Sequence, residues 1–299
     1  MTAEAAGFDS LWVQDHLVAP TGPRADVLVE GISGWMSDAP PPDPTTAQEY
    51  YAGDDWWLEP YVTWAYVAAV TTRMQLASDV IVVPYRNPIV QAKMLGTLDV
   101  LSGGRMVLGT GSGHVAAESA ALGLDYAARG RQHDEQLRVI RLLLGPDEEV
   151  SFDGEFYSFG PLRPLIDSVQ RPPPIYVGGN GRRSIRRAAE LGDGWLPSVS
   201  SPDELRRGLD ALDAACAAAG RSTRPIVALS LPSAFRPMSP RARAGRRPLQ
   251  SPSQIVDALG AFAALGVDHV ALGLMTPSAD VYLDQIEHVG AEVLPALRT

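Results

Sequence analysis

The chain has 299 residues, 45% of them hydrophobic, and a formal net charge of −10 at pH 7. This size allows one large buried core, and the negative charge argues against nucleic acid or an anionic membrane as the main partner. The single cysteine, Cys216, excludes an internal disulfide framework. The sequence has neither an apolar run of membrane-spanning length nor a charged-then-apolar signal pattern, which predicts a cytoplasmic protein.

Short apolar runs alternate with helical patterns through the first half of the chain. The first predicted strand is Ser10 to Val13. The segment that follows, residues 17–59, is rich in proline and tryptophan. It is longer than an ordinary loop in a compact domain, so we interpret it as an active-site loop. Further strands are predicted from Met74 to Val83 and from Arg105 to Gly109, each followed by helical periodicity.

The same alternation continues in the second half. Aromatic residues on either side of Asp153-Gly154 predict a hairpin, which we treat as an insertion over residues 146–172. The remaining predicted strands, each followed by a helix, cover residues 175–178, 194–197, 226–231 and 267–274. Strand–helix alternation along the whole chain predicts a parallel sheet with helical crossovers.

The number of strands indicates the type of sheet. Seven strands are predicted to precede helices, one fewer than in a (β/α)8 barrel. The opening segment resembles the second half of a helix closed by Gly7, so the absent strand would precede Met1. We therefore predict a single α/β domain over residues 1–299, a (β/α)8 TIM barrel that lacks its first β-strand, rather than an open doubly wound sheet. In such a barrel the loops after the strands meet on one face, where active sites lie.

A glycine loop follows the strand that begins at Ile175. Gly178, Gly179, Asn180 and Gly181 connect this strand to an arginine-rich helix, an arrangement that directs backbone amides and a helix N-terminus at a phosphate. The spacing only approaches the dinucleotide fingerprint, because the expected acidic residue does not follow. A tight strand-to-helix turn that needs glycine for its geometry is the alternative.

Polar residues at two other strand ends are unusual. Asp79 interrupts the apolar segment LASDVIVVP, which indicates a bulge or a ligand site or, alternatively, a strand end in contact with water. Asp15 and His16 end the first strand and suit proton transfer, with an ordinary loop hydrogen bond as the alternative. The other histidines do not cluster with acids at metal-ligand spacing, so no metal site is predicted.

Four segments together resemble the luciferase-like monooxygenase superfamily and, within it, the coenzyme F420-dependent oxidoreductases. They are AGFDSLWVQDH, LASDVIVVPYRNPIVQAKMLGTLDVLSGGRMVLGTGSG, SFDGEFYSF and PPPIYVGGNGRRSIRRAAELGDGWLP. The resemblance implies a (β/α)8 barrel that binds a flavin or 5-deazaflavin at its C-terminal face. It also implies a non-prolyl cis peptide, here Asp79–Val80, that supports the ring.

The resemblance assigns candidate site residues as well. His16 maps onto a residue that serves as the catalytic base in some members, the glycine loop onto the phosphate site, and residues 110–112 onto ring and ribityl contacts. The predicted coenzyme contacts are Ser78, Asp79, Val80, Thr110, Gly111, Ser112, Gly178, Gly179, Asn180 and Gly181.

The leading functional prediction is a coenzyme F420-dependent oxidoreductase that transfers hydride between the deazaflavin and a small organic substrate. His16 would move the accompanying proton, with Asp15 orienting it. The alternatives are a monooxygenase that uses reduced FMN from a separate reductase, and a catalytically idle flavin-binding barrel. Lys93 is the only lysine among 25 basic residues, a composition typical of GC-rich actinobacteria, which commonly make the deazaflavin.

Two further expectations concern partners. Residues 236–247 carry five arginines and no acid, and would either meet an anionic substrate or coenzyme tail or form a solvated loop. The resemblance also implies a homodimer.

Overall fold

The computed structural model describes residues 1–18, 57–199, 201–231, 251–274 and 279–298. Most of the predicted active-site loop, and the whole of the arginine-rich segment, lie outside the described residues.

The described residues form an alternating series of strands and helices. In chain order the first half contains α1 (Thr2–Ala5), β1 (Ser10–Val13), α2 (Pro60–Val70), β2 (Gln75–Ser78), β3 (Ile81–Val82), α3 (Pro88–Ser102), β4 (Met106–Gly111), α4 (Ala116–Ala121) and α5 (Arg129–Leu143). The second half contains β5 (Val150–Asp153), β6 (Ser158–Leu162), β7 (Ile175–Gly178), α6 (Arg182–Leu191), β8 (Gly194–Leu196), α7 (Pro202–Ala218), β9 (Ile226–Leu231), α8 (Pro252–Ala263), β10 (His269–Leu272), α9 (Ala279–Glu292) and α10 (Leu294–Leu297).

Four of the helices begin with the same local chemistry. In α2, α3, α7 and α8 a proline occupies the first turn, and the side chain of the preceding residue accepts a backbone amide; these capping residues are Glu59, Asn87, Ser201 and Ser251. Proline fixes φ at a helical value, and the cap satisfies an otherwise unpaired amide.

The central feature is a parallel sheet of seven strand positions in the order β1-β2-β4-β7-β8-β9-β10, with β3 paired to β4. The sheet curves so that β10 comes back beside β1. There the hydroxyl of Ser10 lies 2.7 Å from Nε2 of His269, and Trp12 packs edge-on against the same imidazole. No backbone ladder joins β1 to β10 within the described ranges, so the barrel is nearly closed. The predicted α/β barrel class is confirmed.

The core has two layers because the strands are buried on both faces. One layer lies between the sheet and its helices, where Trp64 of α2 is fully buried and donates its indole N–H to the carbonyl of Ala77 at 3.1 Å. The other fills the barrel interior and includes Val107, Tyr176 and Leu196. Strands that are buried on both faces carry apolar residues at successive positions, which is why they occur in the sequence as short apolar runs and not as an alternation of apolar and polar residues.

The largest difference from the predicted elements is a break within the strand expected from Met74 to Val83. β2 ends at Ser78, a cis peptide joins Asp79 to Val80, and the chain resumes as β3 before a short 3-10 turn. The single-strand prediction was wrong, whereas the predicted non-prolyl cis peptide is present. The short helix α4 was not predicted.

The predicted hairpin is present as the antiparallel pair β5 and β6. The buried carboxylate of Glu135, on α5, accepts hydrogen bonds from the backbone amides of Glu155, Phe156 and Tyr157 at 2.6 to 2.9 Å. These bonds attach the turn of the hairpin to the outside of the barrel.

Candidate active site

The carboxyl ends of the parallel strands bring most of the predicted site residues to one face of the barrel. In the sheet register Val13 lies opposite Ser78, Ile81 opposite Thr110, and Gly178 opposite Leu196. Because neighbouring strands run in the same direction, the loops after them meet at this face.

Asp15 is buried at the end of β1 and is committed to an ion pair. Arg86 binds both of its oxygens, at 2.6 and 2.9 Å, and the amide of Val82 donates to one of them at 2.9 Å. Arg86 also reaches Glu59 at 3.0 Å. Asp15 therefore fixes the end of β1 to the segment after β3. The prediction that Asp15 orients His16 is corrected, since a different carboxylate contacts His16.

That carboxylate belongs to Glu118, on α4. Its Oε2 lies 3.0 Å from Nδ1 of His16 and 2.9 Å from the hydroxyl of Tyr85. Sequence reasoning missed Glu118 because α4 was not predicted and because 102 residues separate the glutamate from His16. Two rings pack edge-on against His16, with centroid distances of 5.0 Å to Trp57 and 5.4 Å to His114.

The protonation states of the groups around His16 follow from their surroundings. Burial alone would raise the pKa of the Glu118 carboxyl, but the hydrogen bonds from His16, from the amide of Leu17 and from Tyr85 outweigh it and lower that pKa. Burial, followed by the positive charge that His16 can carry, lowers the pKa of His114 to about 4. Burial and the charge of Glu118 raise the pKa of Tyr85. At neutral pH the site thus contains an anionic Glu118, a neutral His114 and a protonated Tyr85.

The glycine loop after β7 is fixed to the end of β8. The amide of Gly179, whose φ is +109°, donates to the carbonyl of Leu196 at 3.1 Å. The side-chain amide of Asn180 donates to the carbonyl of Ser198 at 2.6 Å and accepts from its amide at 3.0 Å. Gly181 precedes α6 without a side-chain cap. These bonds occupy the side chain of Asn180, whereas the first amides of α6 have no capping side chain.

The glycines predicted to contact the coenzyme also have a packing role around the cis peptide. A Cβ at Gly111 would lie 2.5 Å from Cγ2 of Val80, and a Cβ at Gly178 would lie 2.6 Å from Cγ1 of the same residue. A Cβ at Gly109 would lie 1.7 Å from the carbonyl oxygen of Ser78. The break between β2 and β3 thus needs glycine at these neighbours. The site residues in this region remain predicted contacts.

Asp79 does not end its strand in open water. Its carboxylate accepts a hydrogen bond from Ser230, near the end of β9, across the barrel. Burial raises the pKa of the Asp79 carboxyl, and the hydrogen bond from Ser230 opposes that rise only in part. Because 151 residues separate the two side chains, no local sequence signal identifies Ser230 as the partner.

The predicted hydroxyl residues differ in how their side chains are used. Ser78 donates to the carbonyl of Gly109 at 2.8 Å, and Thr110 donates to that of Tyr176 at 3.3 Å, so both hydroxyls hold strands together. The hydroxyl of Ser112 lies 2.9 Å from Nδ1 of His133. His133 is fully buried, and its burial lowers its pKa well below the usual value. The hydroxyl of Ser112 is thus hydrogen-bonded to a neutral imidazole.

The described residues contain neither a metal-binding cluster nor a membrane-spanning helix. No group of three or more His, Cys, Asp or Glu side chains there could hold a metal ion. In the same part of the chain, every helix is too short or too polar to cross a membrane.

Comparison with protein families gives a match over residues 1–271 to the luciferase-like monooxygenase model. An uncharacterized protein of Mycobacterium tuberculosis is 34% identical over 206 residues, which are 69% of this chain and 65% of that protein. The chain therefore spans slightly less than two thirds of this relative's length. An F420-dependent hydroxymycolic acid dehydrogenase of the same organism is 29% identical and matches 73% of this chain and 52% of its own.

Solved structures share the fold at low identity. An F420-dependent secondary alcohol dehydrogenase in complex with an F420-acetone adduct has a TM-score of 0.72 at 16% identity, covering 100% of this chain and 93% of its own. The oxygenating constituent of 3,6-diketocamphane monooxygenase from Pseudomonas putida, in complex with FMN, has a TM-score of 0.68 at 18% identity. The match covers 98% of this chain and 90% of that protein. The resemblance found in the sequence is confirmed, and the chain belongs to the luciferase-like monooxygenase family of enzymes.

Proposed function

We propose that this enzyme is a coenzyme F420-dependent oxidoreductase that acts on a small organic alcohol or its ketone. The observation that carries the proposal is the His16–Glu118 pair, held at 3.0 Å on the barrel face where the strands end. A hydride transfer at an alcohol carbon must be accompanied by a proton transfer at its oxygen, and a histidine bound to a carboxylate suits that task. The similarity to the F420-dependent hydroxymycolic acid dehydrogenase of Mycobacterium tuberculosis supports this choice of coenzyme.

The residues on this face fit a coenzyme with a ring and an anionic tail. The uncapped N-terminus of α6, after Gly181, offers backbone amides and the positive end of a helix dipole to a phosphate. The cis peptide before Val80 and the hydroxyl of Ser112 would border the ring. When bound, the deazaflavin would supply the acceptor or donor of hydride.

The chain itself would supply position and proton transfer. His16 would exchange the proton of the substrate oxygen, and Trp57 and His114 would enclose the substrate and limit the access of water. Because His114 has a pKa of about 4, it would act as a neutral hydrogen-bonding group at working pH.

An FMN-dependent monooxygenase is the second candidate, supported by the structural likeness to the FMN complex. It would need a separate reductase to deliver reduced FMN. A homodimer and a cytoplasmic location stay predictions from the sequence, as does the contribution of the arginine-rich segment.

The test is an assay of F420 reduction with a panel of short secondary alcohols, comparing the wild type with His16→Ala and His269→Ala. His269 begins β10 and contacts Ser10, the first residue of β1, so it lies at the end of these strands opposite the site face and serves as the matched control. We expect His16→Ala to lower kcat by roughly 100-fold or more while coenzyme affinity is kept, and His269→Ala to retain kcat. Equal turnover in all three proteins, or no turnover in the wild type with any alcohol of the panel, would contradict the proposal.

A further inference from the structure

Glu118 has an unusual position for a carboxylate. It is 1% exposed, yet donors surround it: the amides of Leu17 and Val18 lie 2.6 and 3.3 Å from Oε1, while His16 and Tyr85 lie 3.0 and 2.9 Å from Oε2. An ionised carboxylate is a pure acceptor with room for about four hydrogen bonds. The surroundings of Glu118 therefore match those required by the charged form.

The direction of the bond to His16 follows from this set of donors. The two backbone amides can only donate to Glu118, and the lowered pKa of its carboxyl keeps it ionised at neutral pH, so the tyrosine hydroxyl donates to it as well. An ionised carboxylate has no proton to give, so Nδ1 of His16 must carry the hydrogen of the 3.0 Å bond. In a neutral imidazole the other ring nitrogen, Nε2, then carries the lone pair.

We propose that Glu118 is a positioning residue that holds His16 as the Nδ1–H tautomer, so that Nε2 is the atom that accepts the substrate proton. The assignment of Nε2 to an alcohol substrate rests on the proposed function, whereas the tautomer does not. In alcohol oxidation the O–H proton passes to Nε2, and the O–H electron pair forms the carbonyl. The carbon-bound hydrogen would leave with its electron pair, for which the oxidised deazaflavin, when bound, would supply the acceptor. The imidazolium that results lies against the charge of Glu118.

Glu118→Gln provides a sharp test because the geometry predicts how glutamine would sit. Leu17 and Val18 both donate toward Oε1, so the glutamine carbonyl would take that side and its NH2 group would face His16. An NH2 group needs an acceptor, which Nδ1 offers only when the hydrogen is on Nε2. The variant is therefore expected to move the imidazole hydrogen from Nδ1 to Nε2. It removes the negative charge of the side chain and keeps the number of its non-hydrogen atoms.

The measurement is the two-bond 1H–15N correlation spectrum of histidine-labelled protein without coenzyme. We expect protonated Nδ1 and unprotonated Nε2 for His16 in the wild type, and the reverse in Glu118→Gln. Tyr85→Phe is the matched control: it removes one donor and leaves the carboxylate charged, so the wild-type pattern is expected. An Nε2–H signal for His16 in the wild type would overturn the proposal even if the glutamine variant failed to fold.

Kinetics separate a positioning role from a purely structural one. In Glu118→Gln we expect kcat to fall roughly 100-fold with little change in KM. The pH profile of any residual activity should shift to lower pH, because the imidazolium loses its counter-charge while the neutral His114 and the protonated Tyr85 stay beside it. Glu118→Asp keeps the charge and should restore part of the rate. An unchanged kcat in Glu118→Gln, with the tautomer inverted, would contradict the role of Nε2.

Discussion

The packing around the cis peptide allows a quantitative test at Gly111. A Cβ added there would lie 2.5 Å from Cγ2 of Val80, and its next neighbours are Cβ of Val80 at 3.6 Å and the carbonyl oxygen of Ile81 at 4.0 Å. The φ angle of Gly111 is outside the left-handed region, so alanine is allowed apart from this contact. The clash in Gly111→Ala is therefore with one methyl group.

The expected magnitudes follow from this single contact. Overpacking of this kind should lower the free energy of unfolding by about 2 kcal/mol in Gly111→Ala, a fall in melting temperature of roughly 4 °C for a chain of this size. Val80→Ala removes the clashing methyl from a half-buried side chain and should cost about 1 kcal/mol. In the double variant the clash is gone, so the loss should be about 1 kcal/mol rather than the additive value of about 3.

The assay is urea unfolding of the wild type, both single variants and the double variant, followed by far-UV circular dichroism. We expect the double variant to be more stable, by about 2 kcal/mol, than the sum of the two single losses predicts; this difference is the coupling free energy. Additive losses in the double variant would refute the idea that Gly111 is needed to make room for Val80.

Three other predictions test the site. The pKa of His114 is about 4 in the folded protein and about 6.5 in the unfolded chain, so between these pH values only the unfolded chain binds the proton. Lowering the pH from 6.5 to 4 should therefore cost about 3 kcal/mol of stability through His114. The urea midpoint of His114→Gln should depend less on pH than that of the wild type. Arg86→Met leaves the buried carboxylate of Asp15 without its counter-charge and should cost roughly 3 kcal/mol of stability. In the same assay Arg131→Met, in an exposed ion pair, should leave stability nearly unchanged. Ser112→Ala should weaken coenzyme binding roughly 10-fold, and it should also lower the free energy of unfolding by about 1 to 2 kcal/mol because buried His133 loses its hydrogen-bond partner.

Local and periodic signals predicted much of the fold. Strand–helix alternation predicted the parallel sheet, and the aromatic residues on either side of Asp153-Gly154 predicted the hairpin of β5 and β6. At Asp79 the polar residue indicated a bulge or a ligand site and the family resemblance implied the cis peptide, but a single strand was predicted where the structure has two short ones.

The partners of the candidate site residues could not be predicted. His16 was identified from its position after a strand, but its carboxylate was taken to be the adjacent Asp15. The three-dimensional fold instead brings Arg86 to Asp15 and Glu118 to His16, across 71 and 102 residues. Such choices depend on which side chains the barrel brings together, and a single sequence carries no local signal for them.

The measurement that tests the central claim most directly is coenzyme binding by the purified chain, with oxidised F420 and FMN titrated separately and followed by fluorescence. The account predicts that F420 binds at least about tenfold more tightly than FMN, a difference of about 1.4 kcal/mol, and that Ser112→Ala weakens F420 binding. Preference for FMN would favour the monooxygenase instead. Binding of neither coenzyme would contradict the proposed function.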